Sequence, residues 1–257
     1  MRFIMAPRRV RVAGRRSVSA MACAALAVTA ALAPSLAGRT PKSAATISPR
    51  VESILARIDR AEGEIRTLRA EVTETRRLRL LAKPEVFRGI LFFARPEQLR
   101  WDYTSPDKRT YILSEGKMTG WIPDQNRVEM VDLSSRQRKI RRLVAIGQDS
   151  ESLRREFDMT AQEVSSVSGT SELVLVPKSR RLRHRLAEIR LWIDDEIGLP
   201  RQLRYLTGGG DEVLLILSEI DINGELAADT FNLRVPEGAK VVRELTSFGL
   251  PGIGDGG

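Results

Sequence analysis

Few side chains in this sequence could carry catalytic or metal chemistry. The one cysteine, Cys23, lies in the predicted leader, so a mature chain would keep a single histidine, His184, and no cysteine, which are too few ligands for the usual zinc sites. A hydrolase could use the three adjacent carboxylates at 194–196, but Gly198 and Pro200 follow them, which is typical of a turn. No glycine-rich phosphate loop, serine nucleophile elbow or HExxH motif occurs. We therefore expect no enzyme, cofactor or metal site, and we expect the histidine to be solvated.

The stretch ARPEQLRWDY presents a different kind of chemistry. Leu99, Trp101 and Tyr103 alternate along a strand and share one face, and Arg95 has the same parity. A guanidinium on an apolar face can donate hydrogen bonds to backbone carbonyls of an element that covers the face. In the alternative interpretation, Arg95 is an ordinary surface residue at a strand kink made by Pro96.

Strands must position these side chains. A period of two runs through the chain from about residue 65, and tight turns separate about ten to eleven strands. Leu91 and Phe93, on the preceding strand, share the parity of Arg95. Since no helices alternate with the strands, the sheet is antiparallel, and a sheet of this size curls or closes. The predicted fold is mainly β (α+β), with a single curved antiparallel sheet or half-barrel.

Short amphipathic helices accompany this sheet. In SPRVESILARIDRA, one apolar stripe at helical spacing contains Val51, Ile54, Leu55 and Ile58. The segment 134–147 predicts a second helix with a cationic face, which is either solvated or in contact with acidic lipid or a partner protein. Because a short amphipathic helix must rest on something apolar, we expect these helices to form a lid over an apolar cavity.

Residues 1–37 predict a cleavable export signal. An arginine-rich start precedes an apolar run shorter than the about 20 residues that span a bilayer, and small residues precede a cut after Ala37. An uncleaved membrane anchor is the alternative, and Arg15-Arg16 leaves the Sec and twin-arginine routes open. The apolar run continues past Cys23, which argues against lipidation there.

The leader also accounts for most of the basic charge. Of the 42 basic residues it contains six arginines and no acid, so the remaining chain carries 36 basic against 33 acidic residues. This balance argues against a nucleic-acid partner. The mature chain would be cysteine-free and would form no disulfide.

The mature chain resembles the periplasmic outer-membrane lipoprotein carrier family of the LolA type. The resemblance is clearest over 87–133, and LVLVPK, GLPRQLRY and INGELAADTFNLRVPEG extend it to roughly 48–243. The matching residues of the first half are Gly89, Arg95-Pro96, Trp101, Tyr103, Pro106, Gly116-Lys117 and Trp121. The chain departs from the family pattern near 118–124, where Ile122, Pro123 and Asp124 replace a tyrosine and an Asp-Pro pair.

This resemblance implies a half-barrel that takes the acyl chains of a lipoprotein, or a related lipid, under a lid of helices. The implied cavity residues are Leu91, Phe93, Leu99, Trp101, Tyr103 and Trp121, and the implied lid helix carries Val51, Ile54, Leu55 and Ile58. Arg95 is implied to help close the lid and to hand cargo onward.

The resemblance also implies partners and a domain plan. An inner-membrane release transporter would supply cargo to a periplasmic monomer, and an outer-membrane acceptor would receive it. A flexible start at 38–47 would precede a carrier domain at 48–245, and a flexible glycine-rich tail would follow at 246–257. The alternative function is a periplasmic sensor of lipid or lipoprotein that contacts a membrane partner.

Overall fold

The computed structural model describes residues 47–132 and 150–245. The helices are α1 (Pro49–Glu64), α2 (Ser150–Glu156) and α3 (Arg180–Arg183). The strands are β1 (Thr67–Arg77), β2 (Glu85–Ala94), β3 (Gln98–Ser105), β4 (Arg109–Ser114), β5 (Lys117–Ile122), β6 (Arg127–Asp132), β7 (Phe157–Ala161), β8 (Thr170–Pro177), β9 (Glu188–Asp194), β10 (Pro200–Leu206), β11 (Glu212–Ile222) and β12 (Lys240–Val242). The predicted leader, the predicted helix at 134–147, the glycine-rich tail and all but the last residue of the flexible start lie outside the described residues.

All twelve strands form one sheet. Its order is β12-β6-β5-β4-β3-β2-β1-β11-β10-β9-β8-β7, so two meanders meet where β1 pairs with β11. Every pair is antiparallel except β12 with β6. The open curved antiparallel sheet with few short helices confirms the predicted fold class. The sheet has twelve strands where the sequence predicted about ten to eleven, and the shortest of them, β12, is a three-residue parallel strand at one edge.

Helix α1 forms where the sequence predicted it. The Ser48 hydroxyl accepts a hydrogen bond from the Val51 amide at 3.3 Å, and Pro49 occupies the first turn, where its missing N–H costs nothing. The helix ends at Glu64, and the amide of the cap residue Ile65 donates to the Ala61 carbonyl. Within the described residues, no helix is both long enough and apolar enough to cross a bilayer.

Candidate functional site

The sheet face that contacts α1, called here the inner face, is built by regular alternation along β1 to β4. In the strand register Leu91 lies opposite Trp101, and Phe93 lies opposite Leu99. Tyr103 follows Trp101 on the same face, and the two rings stack with centroids 5.6 Å apart. All five side chains are buried. The structure therefore brings together five of the six residues that the sequence placed in an apolar cavity.

The apolar stripe of α1 is buried in the apolar cluster that lines this face, and the strands nearest to the helix are β7 and β8. Val51, Ile54, Leu55 and Ile58 are buried in the same continuous apolar cluster as the strand residues. Burial of each such side chain stabilises the closed arrangement by about 1.5–3 kcal/mol. Any apolar ligand of the inner face would have to compete with these contacts or enlarge the space beneath the helix.

Trp121 lies on the opposite, outer face, so its assignment to the same cavity as Trp101 was wrong. Strand β5 turns Gly120 inward, where the Tyr111 ring would lie 2.5 Å from an added Cβ. Alternation then directs Trp121 outward, opposite Thr110. There it lines an outer pocket of about 480 Å³ together with Phe92, Arg100, Asp102 and residues from 229–234.

Arg95 contacts the C-terminal end of α1. Its Nε donates to the Ile65 carbonyl at 2.6 Å, and its Nη2 lies 3.0 Å from a carboxylate oxygen of Glu62. Its side chain is 38% exposed, so the guanidinium lies at the rim of the inner face. The shared parity with Trp101 and Tyr103 had instead suggested a position among the aromatic rings. The contact joins a positive charge to the carbonyl end of a helix, where the helix dipole favours it.

A buried charged group lies farther along the inner face, where sequence reasoning expected only apolar side chains. Glu74 is fully buried and accepts hydrogen bonds from the Tyr103 hydroxyl at 2.6 Å and from Arg76. The guanidinium of Arg76 lies over the Phe87 ring, 4.2 Å from its centroid. Burial raises the pKa of Tyr103 well above its ordinary value, and the charge of Glu74 adds to this effect. The phenol therefore remains a hydrogen-bond donor to the carboxylate.

Two further polar groups extend this region. Glu129 on β6 is fully buried and lies 2.7 Å from the Arg127 guanidinium, which repeats the pairing of a carboxylate with an arginine two residues away. On β10, Tyr205 is fully buried, and its hydroxyl has no hydrogen-bond partner in the part of the chain that the structure describes. Burial raises the pKa of Tyr205, and the Glu74 charge raises it further.

The carboxylates at 194–196 form a turn that also holds α1. Asp194 accepts hydrogen bonds from the amides of Glu196 and Ile197, which confirms the predicted turn. Asp195 lies 3.0 Å from the guanidinium of Arg57 on α1. Gly198 has a φ of +71°, and a Cβ there would lie 2.5 Å from the Arg57 carbonyl, so the close approach of turn and helix requires glycine.

Helix α2 holds the exposed side of α1. Asp59 accepts hydrogen bonds from both the amide and the hydroxyl of Ser150, at 2.9 and 2.6 Å. The guanidinium of Arg154 binds both carboxylate oxygens of Glu52. Polar contacts therefore fasten α1 along its length, while its apolar stripe faces the sheet.

A family model described as "Outer membrane lipoprotein carrier protein LolA" matches residues 64–234, which is more than half of the 257-residue chain. The chain belongs to the LolA family. This confirms the resemblance found in the sequence, and the match includes eleven of the twelve strands. The family is named for carrying lipoproteins, and its name describes no catalytic activity.

Individual LolA relatives are distant. The chain is 30% identical to the outer-membrane lipoprotein carrier protein of Nitrosomonas europaea over 157 residues, 61% of this chain and 72% of that protein. It is 25% identical to the carrier protein of Cupriavidus pinatubonensis over 230 residues, 90% of this chain and 100% of that protein. A crystal structure of an uncharacterized conserved protein from Thermus thermophilus is similar over 75% of this chain and 98% of that one, with a TM-score of 0.50 and 13% identity. The last comparison shows a shared fold alone.

Proposed function

We propose that this LolA-family chain is a periplasmic carrier that holds the acyl chains of lipoproteins, or of related lipids, against its inner face. Cargo would pass from an inner-membrane release transporter to an outer-membrane acceptor. The observation that carries the proposal is a buried apolar sheet face covered by one amphipathic helix, α1, whose end is bonded to Arg95. Five predicted cavity residues on that face would form the floor of the site.

The energetics of acyl binding support this arrangement. Each CH₂ group removed from water contributes about 0.8 kcal/mol, so an acyl chain that displaced the α1 stripe would replace one apolar contact by another. The difference between the closed and loaded states would then be small enough for a second protein to reverse. A carrier needs this balance, because a cavity that only bound tightly would never release its cargo.

Arg95 would set that balance. In the closed state its guanidinium is bonded to the Ile65 carbonyl and lies beside Glu62, and both contacts must break if the end of α1 lifts. Cargo would therefore shift an equilibrium between a closed and an open arrangement of one helix. The latch proposed for Arg95 needs only this contact at the rim and does not need the guanidinium to touch the cargo.

A lipopeptide-binding experiment tests the carrier proposal. The mature chain, beginning after Ala37, is mixed with a fluorescent triacylated lipopeptide, and complex formation is followed by anisotropy and size exclusion. We expect a soluble complex that Phe93→Asn weakens, because Phe93 is on the inner face. Its neighbour Phe92 lines the outer pocket, so Phe92→Asn is the matched control and should bind as the parent does.

Two results would contradict the proposal. The carrier function would be contradicted if the protein formed a soluble complex neither with the lipopeptide nor with lipoprotein released from spheroplasts. Equal loss of binding in both phenylalanine variants, with folding verified by circular dichroism, would move the site away from the inner face. A pull-down that captured an inner-membrane regulator and no lipoprotein would instead favour the sensor function.

A further inference from the structure

An exposed apolar tip lies at one end of the sheet. The loop at 78–84 joins β1 to β2, and in it Leu80 is 98% exposed and Leu81 is 46% exposed. Neither leucine belongs to the buried apolar cluster. Single exposed leucines are common on protein surfaces, but two adjacent ones beside basic side chains have the composition of a segment that inserts into a membrane interface.

Basic side chains surround this tip. Arg79 and Lys83 are exposed in the same loop. The segment 178–185 contains α3 and adds Lys178 and four arginines, all exposed, with no acidic residue among its eight positions. Among the described residues, none of these four arginines, which are Arg180, Arg181, Arg183 and Arg185, forms an ion pair.

The turn at 207–211 connects the leucine tip to the basic segment. Arg79 donates from its guanidinium to the Gly209 carbonyl and from its amide to the Asp211 carboxylate, both at 2.8 Å. The Gly208 amide donates to the Arg185 carbonyl at 3.3 Å. A Cβ at Gly208 would lie 2.1 Å from the His184 carbonyl oxygen, so only glycine permits this approach. The loop 78–84, the turn 207–211 and the segment 178–185 therefore form one surface, called here the basic end.

We propose that the basic end docks the protein on an anionic lipid bilayer. Leu80 and Leu81 would enter the headgroup region, and the arginines of 178–185 would contact anionic headgroups around them. Basic residues near such a surface are attracted to the anionic headgroups, and buried aliphatic groups add to this attraction. A bilayer offers an apolar phase beside a layer of negative charge, which matches the exposed leucines and the exposed arginines of this surface. A nucleic acid or an acidic protein surface would match the arginines alone.

This surface is separate from the proposed acyl-binding site. It consists of loops at the ends of strands, whereas the acyl chains would lie along the inner face beneath α1. Vesicle binding and lipopeptide binding can therefore be measured independently. Failure of one leaves the other standing.

Vesicle flotation with the mature chain tests the proposal. We expect binding to vesicles of phosphatidylcholine with added phosphatidylglycerol, little binding to phosphatidylcholine alone, and weaker binding as salt is raised. Leu80→Ser/Leu81→Ser and, separately, Arg180→Glu/Arg181→Glu should each weaken the partition at least about tenfold. All four positions are exposed, so the variants should fold as the parent does.

Matched controls come from other parts of the molecule. Val164 is 83% exposed in the loop between β7 and β8, at the opposite end of the strands, so Val164→Ser should bind vesicles as the parent does. Arg50 and Arg60 are exposed on α1, and Arg50→Glu/Arg60→Glu changes the net charge as much as the paired change in 178–185. It should weaken binding far less.

Three outcomes would overturn the proposal. The first is no binding to phosphatidylglycerol vesicles at low salt, including the case in which the protein binds a polyanion instead. The second is equal binding to neutral and anionic vesicles. The third is equal loss in the Arg50→Glu/Arg60→Glu control, which would assign any binding to overall charge and not to the basic end.

Discussion

At the scale of single residues, the inner face combines an apolar floor with buried charge. Glu74 continues the inward alternation of Leu68, Ala70 and Val72 along β1. Its carboxylate is balanced by the charge of Arg76 and accepts a hydrogen bond from the Tyr103 hydroxyl. A buried ion pair adds little net stability, but removal of one partner is expensive. Arg95 differs from this buried pair, because its contacts lie at the rim and are partly exposed to water. Their loss should therefore cost less stability.

Glu74→Gln should lower the free energy of unfolding by about 3 kcal/mol, because it leaves the Arg76 charge buried without its partner. Glu71→Gln, on the exposed side of the same strand, should change it by less than about 0.5 kcal/mol. Urea denaturation measures both. The double change Glu74→Leu/Arg76→Met should recover most of the loss, and a loss equal to that of the single variant would contradict this account.

Arg95→Leu should weaken the closed state by about 1–2 kcal/mol, since it removes a charged hydrogen bond and a half-exposed ion pair. If closure competes with cargo, the apparent affinity for triacylated lipopeptide should rise about tenfold. Arg95→Lys should lie between this variant and the parent. A fall in affinity for Arg95→Leu would contradict a latch and would place the guanidinium in contact with cargo.

Two buried carboxylates, Glu172 and Asp194, should make the fold sensitive to acid. Burial opposes the ionisation of Glu172, but hydrogen bonds from Ser166 and the Arg190 guanidinium outweigh it and lower its pKa. Burial also opposes the ionisation of Asp194, but hydrogen bonds from the amides of Ile197 and Glu196, followed by Arg201, lower its pKa. Their stabilisation is complete above the unfolded-state pKa values near 4 and is lost as the pH falls towards the lower folded values.

Chemical denaturation between about pH 6 and pH 2 should therefore show a flatter pH dependence in Glu172→Gln/Asp194→Asn than in the parent. Glu163→Gln, an exposed change, should retain the parental slope. An unchanged slope in the double variant would mean that other groups control acid unfolding.

At the scale of elements, α1 is the part of the proposed site that would have to move. Its stripe is buried, its carbonyl end is bonded to Arg95, and its outer side is bonded to α2. A Glu62→Cys/Arg95→Cys variant joined by a short bis-maleimide would hold the end of α1 on the sheet. The proposed mature chain contains no cysteine of its own, which makes this labelling selective.

The crosslinked protein should lose lipopeptide binding, whereas each single-cysteine variant treated with the same reagent should keep it. Anisotropy with the fluorescent lipopeptide measures the difference. Full binding by the crosslinked protein would show that acyl chains enter without lifting this end of the helix.

The elements of the site were largely predictable from the sequence, since α1 and β1 to β3 have clear periods of 3.6 and two. The parity of β1 also predicts that Glu74 faces inward. The prediction is easily missed, because a run of charged side chains near a strand end resembles a solvated face. Trp121 could not be placed because its face depends on the register between β3 and β4, which the loop between Ser105 and Arg109 sets. The contact of Arg95 with Ile65 depends on where a helix ends, which the sequence determines only to within a few residues.

At the scale of the whole molecule, the sheet should be most stable at its centre. β1 and β11 have neighbours on both sides, whereas β7 and β12 are the edges. Hydrogen exchange followed by mass spectrometry should therefore show the slowest exchange in β1 and β11 and, if the proposed opening occurs, faster exchange in α1. Bound lipopeptide should change the exchange of α1 much more than that of β11, and the reverse order would contradict a moving helix.

The junction of the two meanders has a consequence for how the chain acquires its structure. The Thr67 hydroxyl bonds to the Gly224 carbonyl, 157 positions later, and the whole β1–β11 ladder spans a similar separation. A chain that emerges N-terminus first would leave one edge of β1 open until almost all of it has arrived. Slow completion and a long interval of vulnerability to strand-edge association follow from such distant pairing. A chaperone that shields the first meander, β1 to β6, would therefore protect this topology more than one that acts on the second, β7 to β11.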